Sequence, residues 1–271
     1  MTPTLLFIGC GNMGAAIVAG AAHALPKARL VALDPDVVRA RALLPQGVAV
    51  ELHDTPAALA GLNPDLVVLG VKPQSFASLP PQVMAILARV PVVSIMAGVP
   101  LSRLTGAIGH DRVIRVMPNL PAVVGAGMSL GCRASGVQDP HSERLAETLF
   151  NAIGRFDWAS DEAAFEQANP VFASGPGFVF AFAEQMVLGA IANGVPADLA
   201  DGLVRQTLYG TAKMLAEDPR DAATLKRAVT SPGGTTQAGL GVLEAAGALP
   251  QLLPQTFAAA HARALELAAQ S

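Results

Sequence analysis

The chain has 271 residues, 52% of them hydrophobic and 14% charged, with a net charge of -3. That length and apolar content supply two cores, while the charge balance gives neither the basic footprint of a nucleic-acid binder nor a polybasic stretch for a membrane surface. No uninterrupted apolar run reaches the ~18 to 20 residues of a membrane span, no basic region opens a signal peptide, and two cysteines lack metal-ligand spacing, so a soluble, cytoplasmic, metal-free protein is expected.

The first twenty residues read as strand, glycine turn and helix: Leu5 to Ile8, then Gly9-Cys10-Gly11-Asn12-Met13-Gly14, then Ala15 to Gly20. In a dinucleotide-binding turn Gly9 permits the tight bend, Gly11 lets the backbone approach a pyrophosphate, and Gly14 lets helix and strand pack closely. Amides at the helix start then face the phosphates, and the helix dipole favours their charge. Glycine also ends strands for purely structural reasons, so the context carries weight. A second apolar run, Leu30 to Leu33, ends at Asp34, where the carboxylate that holds an adenosine ribose is expected. Asp34-Pro35-Asp36 is equally a good helix start, which leaves a capping role for Asp34 open.

Further strands are expected at Val48 to Val50, Leu66 to Leu69, Val92 to Ile95 and Val113 to Val116. Edge strands are expected over Gly125 to Leu130 and near Phe156, with a helix from Asp139 to Ala152 between them. Strands alternating with helices indicate a parallel, doubly wound sheet. From about Asp161 the pattern is helical, in segments Glu162 to Ala168, Pro176 to Asn193, Pro196 to Ala216, Asp221 to Val229, Thr235 to Ala246 and Leu249 to Ala269. The expected division is a dinucleotide-binding domain over 1–160 and a helical domain over 161–271. Helices apolar on more than one face in so weakly charged a chain imply an extensive subunit interface.

Three stretches carry candidate chemistry. Val71-Lys72-Pro73 follows a buried strand at its carboxyl end, the edge where open α/β sheets bind ligands; a solvated loop lysine is the plainer reading. Arg115 to Pro121 ends another strand, as a ligand-edge loop or an ordinary turn. The sharpest is Val229-Thr230-Ser231-Pro232-Gly233-Gly234-Thr235-Thr236, with four hydroxyls around a Gly-Gly pair. Successive amides of such a loop entering a helix form a nest for a carboxylate, although Ser231 and Thr235 also suit plain helix caps. Ser174-Gly175-Pro176 opens a long apolar helix. The five histidines are scattered singly and offer neither a zinc helix nor a catalytic dyad.

These residues together resemble the pyrroline-5-carboxylate reductase family over essentially the whole chain. The marks are Phe7 to Gly14, Val71-Lys72-Pro73-Gln74, Ala97-Gly98, Arg115 to Pro121, Ser174-Gly175-Pro176 and, most specific, Leu225-Lys226 with Val229 to Thr236. The resemblance implies an N-terminal Rossmann-type sheet and an all-helical C-terminal dimerisation domain, with the active site at the interface of a homodimer or larger oligomer. It implies NADH or NADPH held by Gly9, Cys10, Gly11, Asn12, Met13, Gly14, Asp34, Val71, Lys72, Pro73 and Ala97. It places substrate on Ser231, Gly233, Gly234, Thr235 and Thr236, with the Thr236 hydroxyl near the ring nitrogen as the catalytic group. The reaction implied is hydride transfer to the imine carbon of 1-pyrroline-5-carboxylate, giving proline.

Two departures from the family pattern matter. Many relatives carry a Ser-Asn-Arg-like segment after the second strand, whereas Asp34-Pro35-Asp36 here disfavours the phosphate of NADPH, so a modest NADH preference is expected. Gly177-Phe178 replaces the usual residues after Ser-Gly-Pro and keeps a ring without a hydroxyl. A β-hydroxyacid dehydrogenase is the enzymatic alternative, but Lys213 is followed by Met214-Leu215-Ala216 and not by asparagine three residues on. A non-catalytic redox sensor on the same fold is the other alternative, opposed by the intact 231–236 loop.

Overall fold

Residues 2–134 and 139–270 are described by a computed structural model. Its N-terminal half alternates strands and helices: β1 (Thr4–Ile8), α1 (Asn12–Ala24), β2 (Arg29–Leu33), α2 (Val37–Leu43), β3 (Glu51–His53), β4 (Leu66–Leu69), α3 (Pro73–Phe76), α4 (Pro81–Leu87), β5 (Val92–Ser94), α5 (Leu101–Ile108) and β6 (Val113–Pro118). Then come β7 (Gly127–Arg133), α6 (Pro140–Asn151), β8 (Gly154–Trp158) and α7 (Glu162–Phe172). The eight strands form one sheet in the order β3-β2-β1-β4-β5-β6-β7-β8. The chain winds outward from β1 through β2 and β3, then crosses back to β4, which puts the topological switch point at the carboxyl ends of β1 and β4.

Side-chain alternation along β1 sorts the core onto two faces. Leu5 and Phe7 join α1 and α6 through Ile17, Val18, Leu149 and Phe150. Leu6 and Ile8 join the opposite layer with Val83, Leu87, Leu104 and Phe165. Burial on both sides explains why these strands read as unbroken apolar runs. Gly20, in the far half of α1, is pressed on the end of α6: a Cβ there would lie 2.6 Å from Ile153 Cγ2 and 3.2 Å from Ala152 Cβ.

Two strand expectations need correction. Val48-Ala49-Val50 is not a strand; β3 is the next tripeptide, Glu51–His53, with Val31 opposite Glu51. Val48 is still held in a turn by its amide on the Pro45 carbonyl, and Val48 and Val50 pack on the core from outside the ladder. The more polar segment forms the sheet edge, where Glu51 pairs with Arg29 at 2.8 Å and a charged edge resists pairing with other chains. Further, β7 runs antiparallel to β6 and lies inside the sheet, with β8 parallel to it at the edge. The link from Asn119 to Ala126 holds a 3-10 turn, Leu120–Val124, and is shorter than the dozen or so residues that a parallel crossover takes.

The described residues group into two units, one running from the N-terminus to Ser174 and resuming at Ala260, the other spanning Gly175–Ala259. By contacts alone, this grouping of the described residues divides after α7. Buried Phe165 fastens α7 to the sheet's second face, and the Asn119 side-chain amide donates to the Phe172 carbonyl at 2.9 Å.

The second unit contains α8 (Gly175–Ala192), α9 (Ala197–Glu217), α10 (Ala222–Ala228), α11 (Thr235–Leu243) and the first half of α12 (Leu249–Gln270). None of the described residues of α8 is buried, although the helix carries a single charge, Glu184. Val179, Phe180, Phe182, Leu188 and Ile191 are exposed, and a cavity of about 590 Å³ opens between α8 and α9 over Phe180, Val187, Leu188, Val204 and Leu208. Glu162–Ala192 is long and apolar enough to cross a membrane by length and composition. An apolar surface of this extent on a folded unit is also what a partner subunit covers.

Candidate functional site

The glycine turn lies at the switch point, and its three glycines answer to different neighbours. A Cβ on Gly9, whose φ is +94°, would meet the Gly70 carbonyl oxygen at 2.7 Å, and one on Gly14 would meet the Gly9 carbonyl oxygen at 2.3 Å. Both are demanded by the fold itself. A Cβ on Gly11 would meet only Arg39 Nη2, at 4.0 Å. The chain's own packing leaves room there for a side chain, so the close backbone approach that glycine allows is available to a ligand.

Gly11 is the N-cap of α1 and the helix has no side-chain cap, so the amides of Asn12, Met13 and Gly14 have no acceptor among the described residues. That row of donors at the positive end of a 13-residue helix fits a dinucleotide pyrophosphate. Asp34 at the end of β2 is oriented from both sides: one carboxylate oxygen accepts from the Cys10 amide at 2.7 Å, the other from the Asp36 amide at 2.9 Å. Capping of α2 falls to Asp36, which accepts from the Arg39 amide at 2.9 Å. Asp34 is thus fixed beside the turn, and each oxygen keeps a lone pair for a ribose hydroxyl. Burial, helped by the Asp34 charge and opposed by Arg41, pushes the Cys10 thiol up to about 11.

Val71, Lys72 and Pro73 follow the carboxyl end of β4, and the Val71 amide lies 3.1 Å from the position a Gly9 Cβ would take. Lys72 is exposed, and Ala97 is exposed in the turn after β5. All the expected cofactor residues therefore sit along the carboxyl edge of β1, β2, β4 and β5.

In the helical unit, the loop 231–236 enters α11, whose N-cap is Gly234 with no side-chain cap. Neither Ser231 nor Thr235 caps the helix, which removes the plain reading of those hydroxyls. The loop's amides are not all free. Gly234 donates to the Ser231 carbonyl at 3.0 Å, and Gly233, at φ +71°, donates to Gln237 Oε1 at 2.6 Å. The Thr235, Thr236 and Gln237 amides have no acceptor among the described residues. The loop's open donors are thus the first amides of α11, while the Gly-Gly amides hold the loop in shape. Lys226 pairs with Glu244 across α10 and the end of α11, bracing the loop from outside.

Sequence reasoning missed Gln237, Glu162 and Glu166. Arg115, 1% exposed in β6, places Nη1 2.5 Å from Glu162 and 2.8 Å from Glu166, and its guanidinium lies 4.7 Å from the Phe165 ring centre. Glu162 also accepts from the Leu101 amide at 2.7 Å. Arg115 and Asn119 therefore fasten α7 to the sheet, and the readable signal was a cation inside an apolar strand, which has to find a partner.

The switch-point turn, its open amides and the fixed Asp34 define a nicotinamide-dinucleotide oxidoreductase with an appended helical domain. A family model described as NADP oxidoreductase, coenzyme F420-dependent, matches residues 4–98, and one described as pyrroline-5-carboxylate reductase dimerisation matches residues 162–267. The chain is 36% identical over 263 residues to the pyrroline-5-carboxylate reductase of Pisum sativum, covering 95% of this chain and 93% of that one. It superposes on a pyrroline-5-carboxylate reductase from Coxiella burnetii with a TM-score of 0.89 at 30% identity, over 98% and 99% of the two chains. It shares its fold with a Plasmodium falciparum pyrroline carboxylate reductase solved with NADP bound, at a TM-score of 0.79 and 24% identity over 98% of each chain. The chain belongs to the pyrroline-5-carboxylate reductase family. It uses a nicotinamide dinucleotide, acts on a small molecule and forms a homo-oligomer through its helical dimerisation domain.

Proposed function

We propose that the chain reduces 1-pyrroline-5-carboxylate to L-proline, the last step of proline biosynthesis, at a site shared between two copies. Bound nicotinamide supplies the hydride; the protein's task is to hold and orient the imine. A protonated cyclic imine is already electrophilic, so positioning against the cofactor and neutralising the carboxylate account for most of the catalysis required. The observation that carries this reading is the set of unpartnered amides opening α11, a donor array suited to a substrate carboxylate.

In this assignment the Thr235 and Thr236 amides hold the carboxylate, Ser231, Gly233 and Gly234 shape the loop, and the Thr236 hydroxyl donates toward the ring nitrogen. Gly9 to Gly14, Asp34, Val71, Lys72, Pro73 and Ala97 line the cofactor site. The exposed apolar faces of α8 and α9 support association of two copies, on which a shared site depends. Asp34 supports a modest NADH preference, since its carboxylate accepts from ribose hydroxyls and opposes an added phosphate.

The test is steady-state turnover of Thr236→Ala and Thr236→Val. Loss of a donor to a developing charge lowers kcat by about 10² to 10³, with dinucleotide affinity unchanged. Wild-type turnover in both variants would remove Thr236 from the mechanism.

A further inference from the structure

We propose that Arg39 is the cofactor-specificity residue of this chain, the cation that receives a phosphate on the adenosine ribose and so admits NADPH beside NADH. The proposal rests on the assignment of the glycine turn as the dinucleotide site. Three arginines lie around the second and third strands, and two are committed elsewhere. Arg29 makes two hydrogen bonds to Glu51, and Arg41 donates to the Val50 carbonyl at 3.2 Å. The Arg39 guanidinium has no hydrogen bond or ion pair with any described residue, and only its backbone is engaged, by Asp36. Yet Nη2 lies 4.0 Å from where a Gly11 Cβ would stand, and apart from Gly11's own chain neighbours no other atom of the described residues comes within that distance.

An uncommitted guanidinium beside a phosphate-binding turn is matched to an anion by charge and by its planar fork of donors. The α1 amides already supply donors for the pyrophosphate. Arg39 stands instead in the first turn of the helix that follows Asp34, the ribose-binding carboxylate. Asp34 cannot retreat, because Cys10 and Asp36 hold both its oxygens. The two side chains therefore act with opposite sign on a ribose phosphate: Asp34 repels it and Arg39 attracts it.

The experiment is calorimetric titration of the wild-type protein, Arg39→Ala and Arg39→Lys with ADP-ribose and with its 2′-phosphorylated form, alongside kcat/KM for NADH and NADPH. Arg39→Ala weakens the 2′-phosphorylated ligand at least about tenfold and ADP-ribose less than about twofold, while Arg39→Lys, a charge without the planar fork, falls between. The NADPH to NADH efficiency ratio drops in parallel. Equal weakening of both ligands would mean that Arg39 serves the pyrophosphate, and no change in either would mean that it serves neither; both results overturn the proposal and leave the cofactor site standing. Failure of the wild-type protein to bind either ligand would overturn the site as well.

Discussion

Replacing Arg115 by methionine keeps much of the side chain's bulk and removes its charge. It leaves the Glu162 and Glu166 carboxylates facing one another under α7 without the guanidinium that each meets within 2.8 Å. Breaking a buried pair by removing one partner costs ~3–5 kcal/mol. The lower end applies here, because the Glu162 side chain is 31% exposed and Glu166 18%, so both carboxylates recover part of their hydration. Taking ~3 kcal/mol and ~2–4 °C per kcal/mol for a unit of this size gives a fall in Tm of ~6–12 °C. Urea unfolding and calorimetry on Arg115→Met and on the triple variant Arg115→Met, Glu162→Gln, Glu166→Gln separate lost attraction from uncompensated charge. The triple variant regains at least half of the loss. If the single variant costs under ~1 kcal/mol, or the triple is no more stable than the single, the cluster is not what holds α7 to the sheet.

The contrast between Gly14 and Gly11 in the glycine turn tests its reading directly. Gly14→Ala drives a methyl into the Gly9 carbonyl at 2.3 Å and lowers stability by ~1–3 kcal/mol. Gly11→Ala meets nothing closer than 4.0 Å, lowers the Tm less than Gly14→Ala because only its N-cap preference is lost, and weakens dinucleotide binding; thermal melts with and without cofactor distinguish this from a glycine required by packing. With the Cys10 thiol pushed up to about 11 and the Cys132 thiol to about 12, both mainly by burial, thiolate at pH 8 is only ~0.1% and ~0.01% of each. Iodoacetamide should label neither in the native protein and both after denaturation; rapid native labelling would contradict the burial that raises them.

Much of the fold was legible because a strand buried on both faces has to be apolar throughout, and Leu5 to Ile8 or Leu66 to Leu69 admit little else. Val48 to Val50 shows where that rule fails: valines that pack on the core from a turn are indistinguishable in sequence from valines in a ladder. The reversal at β7 was written in the short Asn119 to Ala126 link, not in the strand's own residues. The loop before α11 was recognisable by composition, yet which of its amides are free depends on Gln237 folding back to Gly233. Glu162 and Glu166 look like ordinary surface charges one helical turn apart, and only a buried arginine in another element reveals their task.

Gly20 carries a consequence at a distance. It sits nine residues beyond the N-cap of α1, about 14 Å along the axis at 1.5 Å per residue, and allows that helix to bed against Ile153 and Ala152. With its far half seated there and its near end abutting Gly9, α1 is held at two points, like a beam on two supports. A wider residue at Gly20 would lift one end of the beam and tilt the other. A packing change that never meets the nucleotide would then be felt as a change in how tightly the nucleotide is held.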